Sequence, residues 1–155
     1  MTSHPIAHAI DTAALLAQAD SWLQPALFKD YGPNGLQVEG TSQVTHLVSG
    51  VTASLALIEQ AIAVKADAIL VHHGLFWRGQ TGVVTGWMRQ RVGRLLEHNI
   101  NLLAYHLPLD AHPLHGNNAQ LARQLSLQPL PELNGRFGDQ RLGWLGTSSD
   151  KTVGA

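Results

Sequence analysis

The chain has 155 residues, of which 45% are hydrophobic and 14% are charged, and its formal net charge is −1. This length allows one substantial core, and the balanced charge gives no bulk electrostatic reason to bind nucleic acid or an anionic membrane. No apolar run approaches the roughly 20 residues of a membrane span, and no signal-peptide pattern is visible, so we expect a cytoplasmic protein. Cysteine is absent, so a metal site in this chain would have to use imidazole and carboxylate ligands.

Hydrophobic periodicity and capping residues divide the chain into alternating helices and strands. In chain order, we predict a helix over 11–23, capped by Asp11 or Thr12 and limited by Pro25; turns over 28–40 around a short extended piece at 36–38; a strand over 44–52; a helix over 55–66 capped by Ser54; a strand over 67–73; a helix over 86–99; a strand over 100–107; a helix over 116–127 capped by Asn117 or Asn118; and one more strand near 141–145.

This order of elements predicts an α/β fold. Strands that alternate with helices form a mostly parallel sheet with right-handed crossovers, and the helices cover the faces of the sheet. The apolar runs at 67–73 and 100–107 are typical of strands buried on both faces. We therefore expect residues 1–155 to form a single α/β domain.

Histidines are concentrated where two of these strands end. The chain has nine histidines, and six of them fall within the 44 residues from His72 to His115. His72 and His73 end one predicted strand, and His106 and Asp110 stand at or just beyond the end of the next. Because ligands of parallel α/β sheets bind outside the carboxyl ends of the strands, these four side chains are expected to converge. They are our candidate site residues.

The adjacency of His72 and His73 constrains any metal site. Successive strand residues point to opposite faces, so either the strand is already ending or each histidine binds a different ion, with Asp110 as a shared or terminal oxygen ligand. His106 is expected to orient Asp110 or a ligand imidazole, or to shuttle a proton. The competing interpretation is that these are structural histidines. His98 is explained by its place at a helix C-terminus, and the loop residues His112 and His115 are expected to be solvated.

Three stretches, read together and in this order, carry a resemblance to a known family. They are NGLQVEG at 34–40, LVHHGLFW at 70–77 and YHLPLDAHPLHGNNAQLA at 105–122, followed by GRFGDQRLGWLG at 135–146. They resemble the dinuclear-metal-centre proteins that carry the label GTP cyclohydrolase I type 2. The resemblance implies a three-layer α/β/α fold, two divalent ions per site and a ring-shaped homohexamer. It also implies that His72, His73 and Asp110 are metal ligands, while His106 matches the histidine four residues before the motif aspartate.

The chain departs from the family pattern in its length. Members of that family continue for roughly another hundred residues, in which a histidine and a glutamate four residues later complete the metal site. Residues 116–155 contain no histidine and a single glutamate, Glu132. We therefore expect the chain to correspond to the amino-terminal portion of a longer protein and to lack part of the site.

Two functions from different classes remain open on this basis. The first is a metal-dependent hydrolase in which divalent ions activate water to attack a purine nucleotide, for example at C8 of guanine. The second is a non-catalytic metal-binding scaffold whose ring assembly is its function. Zinc, iron, nickel and manganese are equally compatible with histidine and carboxylate ligands. A metal-free dinucleotide binder is disfavoured because no G-x-G-x-x-G stands between a strand and a helix.

Overall fold

The computed structural model describes residues 8–148, which form helices and strands in alternation along most of the chain. The helices are α1 Thr12–Leu23, α2 Leu55–Ala63, α3 Gly86–Glu97, α4 Leu107–Ala111, α5 Asn117–Gln124 and α6 Glu132–Gly135. The strands are β1 Ile10–Asp11, β2 Gly35–Val38, β3 Gln43–Val44, β4 Leu47–Thr52, β5 Ala68–His73, β6 Asn101–Ala104, β7 Gln128–Pro129, β8 Arg136–Phe137, β9 Gly143–Trp144 and β10 Gly146–Thr147.

A four-stranded central sheet has the strand order β2-β6-β5-β4. The three strands β4, β5 and β6 run parallel, and β2 pairs antiparallel with β6 at the edge. Leu70 of β5 lies between Ser49 on one side and Leu103 on the other, which fixes the register of the parallel strands. The predicted α/β fold with a mostly parallel sheet is confirmed.

Helices lie on both faces of this sheet. Neighbouring residues of β5 point to opposite faces, so the strand contributes to a hydrophobic cluster on each side. Ile69 and Val71 belong to the larger hydrophobic core, to which α2 and α3 contribute residues such as Ile58 and Leu95. Ala68 and Leu70 belong to a smaller cluster on the other face, where Leu15 and Leu16 of α1 pack. Within residues 8–148, no helix is long and apolar enough to cross a membrane.

The caps of the first two long helices agree with the sequence. The carboxylate of Asp11 accepts a hydrogen bond from the backbone N–H of Ala13, and the hydroxyl of Ser54 accepts one from the backbone N–H of Leu57. Side-chain oxygens at these positions satisfy N–H groups that have no partner inside the helix. The helix that starts at Thr12 ends at Leu23, just before Pro25, as predicted.

The predicted cap of α5 is wrong. Gly116 occupies the capping position without a side-chain hydrogen bond, and the two following asparagines are already inside the helix. Their amides are used elsewhere: Asn117 donates to the Asp110 carboxylate and Asn118 donates to the carbonyl of Leu142. These asparagines therefore join the helix to its surroundings instead of starting it.

The predicted strand over 44–52 is divided in two. Val44 ends β3 and Leu47 begins β4, while the carboxylate of Asp67 accepts hydrogen bonds from the backbone N–H groups of Thr45 and His46 at 2.8 and 2.9 Å. Backbone groups bound to a side chain in this way cannot pair with a neighbouring strand. This interruption lies at the end of the sheet opposite to His72 and His73.

The predicted strand over 100–107 is shorter than expected, because β6 ends at Ala104 and a one-turn helix follows. Pro108 lies in the first turn of this helix, a position where its missing N–H costs no intrahelical hydrogen bond. A proline just after a strand predicts a turn from the sequence, and in the structure this turn is the start of α4. Near 141–145, the predicted strand is β9, paired antiparallel with β8.

Candidate metal centre

Three histidines meet at the carboxyl ends of β5 and β6. His72 and His73 are the last residues of β5, and His106 caps α4 two residues after β6 ends. One ring nitrogen of each histidine lies within 4.8 Å of those of the other two. The ring centroids are 4.5 Å apart for His72 and His73, 4.9 Å for His72 and His106, and 5.6 Å for His73 and His106.

The ending of the sheet allows adjacent histidines to reach the same site. The pairing of β5 with β6 stops at Val71, whereas its pairing with β4 continues to His73. A Cβ atom on Gly74, the next residue, would overlap the carboxamide of Gln37, whose oxygen accepts a hydrogen bond from the backbone N–H of Leu75. The glycine in the HHG sequence thus lets β2 pack closely against the chain just after the two histidines.

The Nδ1 atoms of His72 and His106 both contact hydrogen-bond acceptors. Nδ1 of His72 lies 3.1 Å from the carbonyl oxygen of Tyr105, and Nδ1 of His106 lies 2.7 Å from a carboxylate oxygen of Asp30. A carbonyl and a carboxylate have no proton to give, so Nδ1 must be the donor in both pairs. In each neutral ring, Nε2 therefore keeps its lone pair, which is the atom that a metal ion needs.

His73 is held by a hydroxyl group. Its Nδ1 lies 3.1 Å from Oγ1 of Thr52, its partner in the sheet register. Burial lowers the pKa of His73, and the neighbouring imidazoles of His72 and His106 lower it further, whereas the Asp110 carboxylate raises it. The lowered pKa favours the neutral imidazole, the form that binds metals.

Asp30 is the most completely satisfied carboxylate at the site. Its side chain is only 3% exposed, and it accepts hydrogen bonds from His106, the amide of Asn34 and the backbone N–H groups of Tyr31 and Leu107. Burial alone would raise the pKa of Asp30, but these hydrogen bonds together lower it below its usual value. Asp30 therefore stays ionised and orients the ring of His106.

Asp110 lies beside the three histidines. Its Oδ1 is 3.6 Å from Nε2 of His72 and accepts a hydrogen bond from the amide of Asn117 at 2.6 Å. With the side chain of Asp110 25% exposed, the carboxylate borders the site on its solvent side. The structure thus brings together all four residues singled out in the sequence, with His106 in the group of potential ligands rather than behind it.

Trp77 forms an apolar wall of the site. Its ring meets the ring of His106 edge-on, with the centroids 5.0 Å apart, and its Nε1 donates a hydrogen bond to the carbonyl of Gly74. A hydrogen-bonded tryptophan of this kind is fixed in orientation and presents its apolar ring to the imidazole of His106.

Sequence reasoning missed Asp30, Asn34 and Thr52. Asp30 and Asn34 lie in a segment whose glycine, proline and asparagine predict turns, and 76 residues separate Asp30 from His106. No local pattern connects positions so far apart. Of the other histidines, His98 caps the C-terminus of α3 as expected, and His112 lies outside the cluster, with its ring stacked on that of His115.

The chemistry of these donors fits a divalent transition metal. Imidazole nitrogens with an adjacent carboxylate oxygen suit zinc, iron, nickel and manganese. Hydrogen bonds from the far ring nitrogen to a carbonyl or carboxylate are also typical of histidines that bind metals. His72 and His106 each have such a partner.

Comparison with known proteins places this chain in a family. A sequence profile described as Duf34/NIF3 (NGG1p interacting factor 3) matches residues 10–154. A protein of Neisseria meningitidis serogroup A called "GTP cyclohydrolase 1 type 2 homolog" is 51% identical over 141 residues, which cover 90% of this chain and 55% of that protein. The chain thus spans about half the length of the curated relatives it matches, and it corresponds to their amino-terminal part.

Solved structures agree with this assignment. The structure of protein ybgI, described as of unknown function, is 47% identical with a TM-score of 0.78, covering 81% of this chain and 51% of that one. The structure of TTHA1606 from Thermus thermophilus is 39% identical with a TM-score of 0.75, covering 83% of this chain and 55% of that one. The chain therefore belongs to the Duf34/NIF3 (NGG1p interacting factor 3) family.

Proposed function

We propose that this chain binds a divalent metal ion through His72, His73 and His106, with Asp110 as an oxygen ligand. The observation that carries the proposal is the hydrogen bonding of Nδ1 in His72 and His106, which leaves Nε2 as the ring atom that can coordinate a metal ion. The expectation of two ions rests on the family resemblance and stays a prediction.

We further propose that this protein is a metal-dependent hydrolase that acts on a purine nucleotide. Support comes from the relatives that are named GTP cyclohydrolase 1 type 2 homolog. A bound divalent ion would supply Lewis acidity and lower the pKa of a coordinated water. Within this chain, Asp30 holds the tautomer of His106, Trp77 packs edge-on against that ring, and Asp110 places its carboxylate beside His72 as an oxygen ligand. Proton transfer by His106, the role expected from the sequence, is the alternative to metal coordination by this residue and stays a prediction.

Metal binding is tested directly on the purified chain. After treatment with EDTA and gel filtration, the protein is titrated with Zn²⁺, Mn²⁺, Ni²⁺ or Fe²⁺, and bound metal is counted by elemental analysis. We expect His72→Gln, His73→Gln and His106→Gln each to weaken binding at least tenfold, because each removes one ligand. His98→Gln is the matched control, since His98 lies at the end of α3. Unchanged binding in all three site variants would refute the proposed ligands.

A second candidate function is a metal-binding scaffold that self-associates. The observation in its favour is an exposed apolar patch in which Val83, Val84 and Trp87 are each about half or more exposed. Exposed patches of this kind often mark protein contacts. The full-length protein loaded with metal distinguishes the two candidates: turnover of GTP that His73→Ala abolishes supports the hydrolase, whereas tight metal binding without turnover of any nucleotide supports the scaffold. The homohexamer implied by the resemblance belongs to this second proposal.

A further inference from the structure

A cavity lies on the other side of α4 from the histidines. It has a volume of about 320 Å³ and is bordered by the end of α1, the turn that follows it and the β8–β9 hairpin. Pro108 and Ala111 of α4 line this cavity, whereas Asp110 of the same helix faces His72. The cavity is therefore separate from the proposed metal centre, although the same short helix borders both.

Aromatic rings and cationic groups line this cavity together. Trp22 is 66% exposed at its edge, and the guanidinium of Arg136 lies 3.5 Å from the centroid of the Trp144 ring. Within residues 8–148, neither Arg136 nor Arg141 forms an ion pair, and Glu132 is the carboxylate that borders the cavity. Two guanidinium groups without ion-pair partners favour an anion.

His112 adds a hydrogen-bond donor to the same wall. Its Nδ1 accepts hydrogen bonds from the backbone N–H groups of Leu114 and His115 at 3.2 and 3.0 Å. A nitrogen that accepts two hydrogen bonds carries no proton, so the ring proton is on Nε2. Nε2 of His112 is therefore available as a donor at the cavity.

The hairpin that carries Arg141 is held in an unusual conformation. Gln140 and Arg141 are consecutive non-glycine residues in the left-handed region, with φ of 57° and 55°. The amide of Gln140 bonds both backbone groups of Lys29: it accepts from the N–H and donates to the carbonyl. Such conformations cost free energy, and they concentrate where a fixed side-chain position serves a ligand. Gln140, whose side chain is bonded to Lys29, lies directly before Arg141 in the chain.

We infer that this cavity binds a nucleoside monophosphate or a closely similar planar ligand with a phosphate group. The phosphate would pair with Arg136, Arg141 and the Nε2–H of His112, and the base would stack on the exposed ring of Trp22. A volume near 300 Å³ is within the range of small-molecule sites. This inference goes beyond the proposed metal function, since no residue of the histidine cluster contributes to the cavity.

The experiment is isothermal titration calorimetry on the metal-free chain in EDTA, so that the metal centre cannot contribute. The probes are GMP and AMP, with guanosine, adenosine and inorganic phosphate as separate arms. We expect a nucleotide to bind at least tenfold more tightly than either its nucleoside or phosphate alone. Arg141→Gln should weaken nucleotide binding about tenfold, and Trp22→Ala should weaken it about fivefold or more.

Exposed Arg89 on α3 provides the matched control, since Arg89→Gln removes the same charge from a residue that does not line the cavity. Because Arg141 and Trp22 are exposed, these variants are expected to fold, and circular dichroism checks that they do. Binding of phosphate as tightly as nucleotide, no heat at millimolar nucleotide, or equal losses in Arg89→Gln and Arg141→Gln would each overturn the inference. Failure here would leave the metal titration of the histidine variants unaffected.

Discussion

At the scale of single residues, the candidate metal centre depends on which nitrogen of each imidazole carries the proton. His106 is the clearest case, because its Nδ1 contacts a carboxylate that is itself buried and held by three other donors. Asp30 thus acts on the ring through one hydrogen bond and through its negative charge. Both effects favour the tautomer with the proton on Nδ1, which leaves Nε2 as the atom that can coordinate a metal ion.

The substitution Asp30→Asn tests this positioning role. An amide at position 30 has no charge and can present an N–H₂ group to Nδ1, which would favour the wrong tautomer of His106. We expect the affinity of the chain for Zn²⁺ to fall by about 10- to 100-fold, the usual effect of losing such a partner. Isothermal titration calorimetry of the metal-free chain measures the change.

Asp67→Asn is the matched control for Asp30→Asn. Asp67 also accepts several hydrogen bonds, but it lies just before β5, roughly 20 Å along the strand from His73. This control should lose stability and keep its zinc affinity. Equal losses of zinc affinity in the two variants would show that Asp30 acts only through general stability.

At the scale of elements, the two ends of β5 have different roles. Its amino end is held by Asp67, whose carboxylate also binds the hydroxyl of Thr45 at 2.7 Å, and its carboxyl end carries His72 and His73. Parallel pairing with β4 and β6 leaves the intervening residues buried on both faces. The sheet therefore sets the position of the histidines, while side-chain hydrogen bonds set the direction of their rings.

The interruption between β3 and β4 should make stability depend on pH through Asp67. Burial would raise the pKa of Asp67, but hydrogen bonds from Thr45 and His46 outweigh it and lower the pKa below the ordinary value of 3.8. A carboxyl with a lowered folded-state pKa stabilises the fold above its unfolded-state pKa, and this contribution is lost as pH falls through the folded-state value. The affected window therefore lies below about pH 3.8.

Urea unfolding of the wild type and Asp67→Asn at several pH values measures this contribution. The wild type should be more stable by about 1 kcal/mol at pH 7 and pH 5, because it keeps hydrogen bonds to a charged acceptor. The difference should shrink as pH falls below 3.8. A difference that stays constant down to about pH 3 would contradict the assignment.

A buried asparagine ties β6 to the loop before β3. Asn101 is fully buried; its side-chain oxygen accepts from the backbone N–H of Gly40, and its amide donates to the carbonyl of Thr41. Removing the side chain in Asn101→Ala leaves the N–H of Gly40 without this partner, whereas the carbonyl of Thr41 still accepts from the hydroxyl of Thr12, so the cost should be about 1–3 kcal/mol. Urea unfolding provides the measurement, with exposed Asn134→Ala expected to change stability by less than about 0.5 kcal/mol. A loss below about 1 kcal/mol in Asn101→Ala would show that water replaces the lost partners.

Sequence periodicity predicts the elements that are buried on a regular face. The runs at 67–73 and 100–107 form the central strands because apolar runs report burial directly, and strand order then predicts where His72, His73 and His106 meet. What periodicity cannot predict is interaction between distant polar groups. The position of Asp30 beside His106 depends on tertiary packing, which no local pattern encodes.

Two local differences between sequence and structure have a similar cause. Pro108 predicts a turn, although proline is also favoured in the first turn of a helix, and only the hydrogen bonds of α4 distinguish the two. Asn117 and Asn118 are good capping residues, yet their amides bond to Asp110 and to a carbonyl of the hairpin region. In both cases the local preference is real, and tertiary contacts decide how it is used.

At the scale of the whole molecule, metal binding and folding should be linked. The proposed ligands come from β5 and from the start of α4, so a bound ion would join two parts of the chain that are distant in sequence. A ligand that binds the folded state alone stabilises it by about 2.7 kcal/mol at a free concentration 100 times its dissociation constant. For a chain of this size, that corresponds to a rise in melting temperature of roughly 5–10 °C.

Thermal unfolding of the chain with saturating Zn²⁺, compared with the same sample in EDTA, measures this linkage. The wild type should melt at a higher temperature with zinc, and His106→Gln should lose most of the increase because one ligand is removed. Asp110→Asn should lose a smaller part, since its carboxylate lies at the edge of the three-histidine group. His98→Gln should retain the full increase. An equal rise in wild type and His106→Gln would mean that zinc stabilises the fold from another position, and the proposed centre would have to be abandoned.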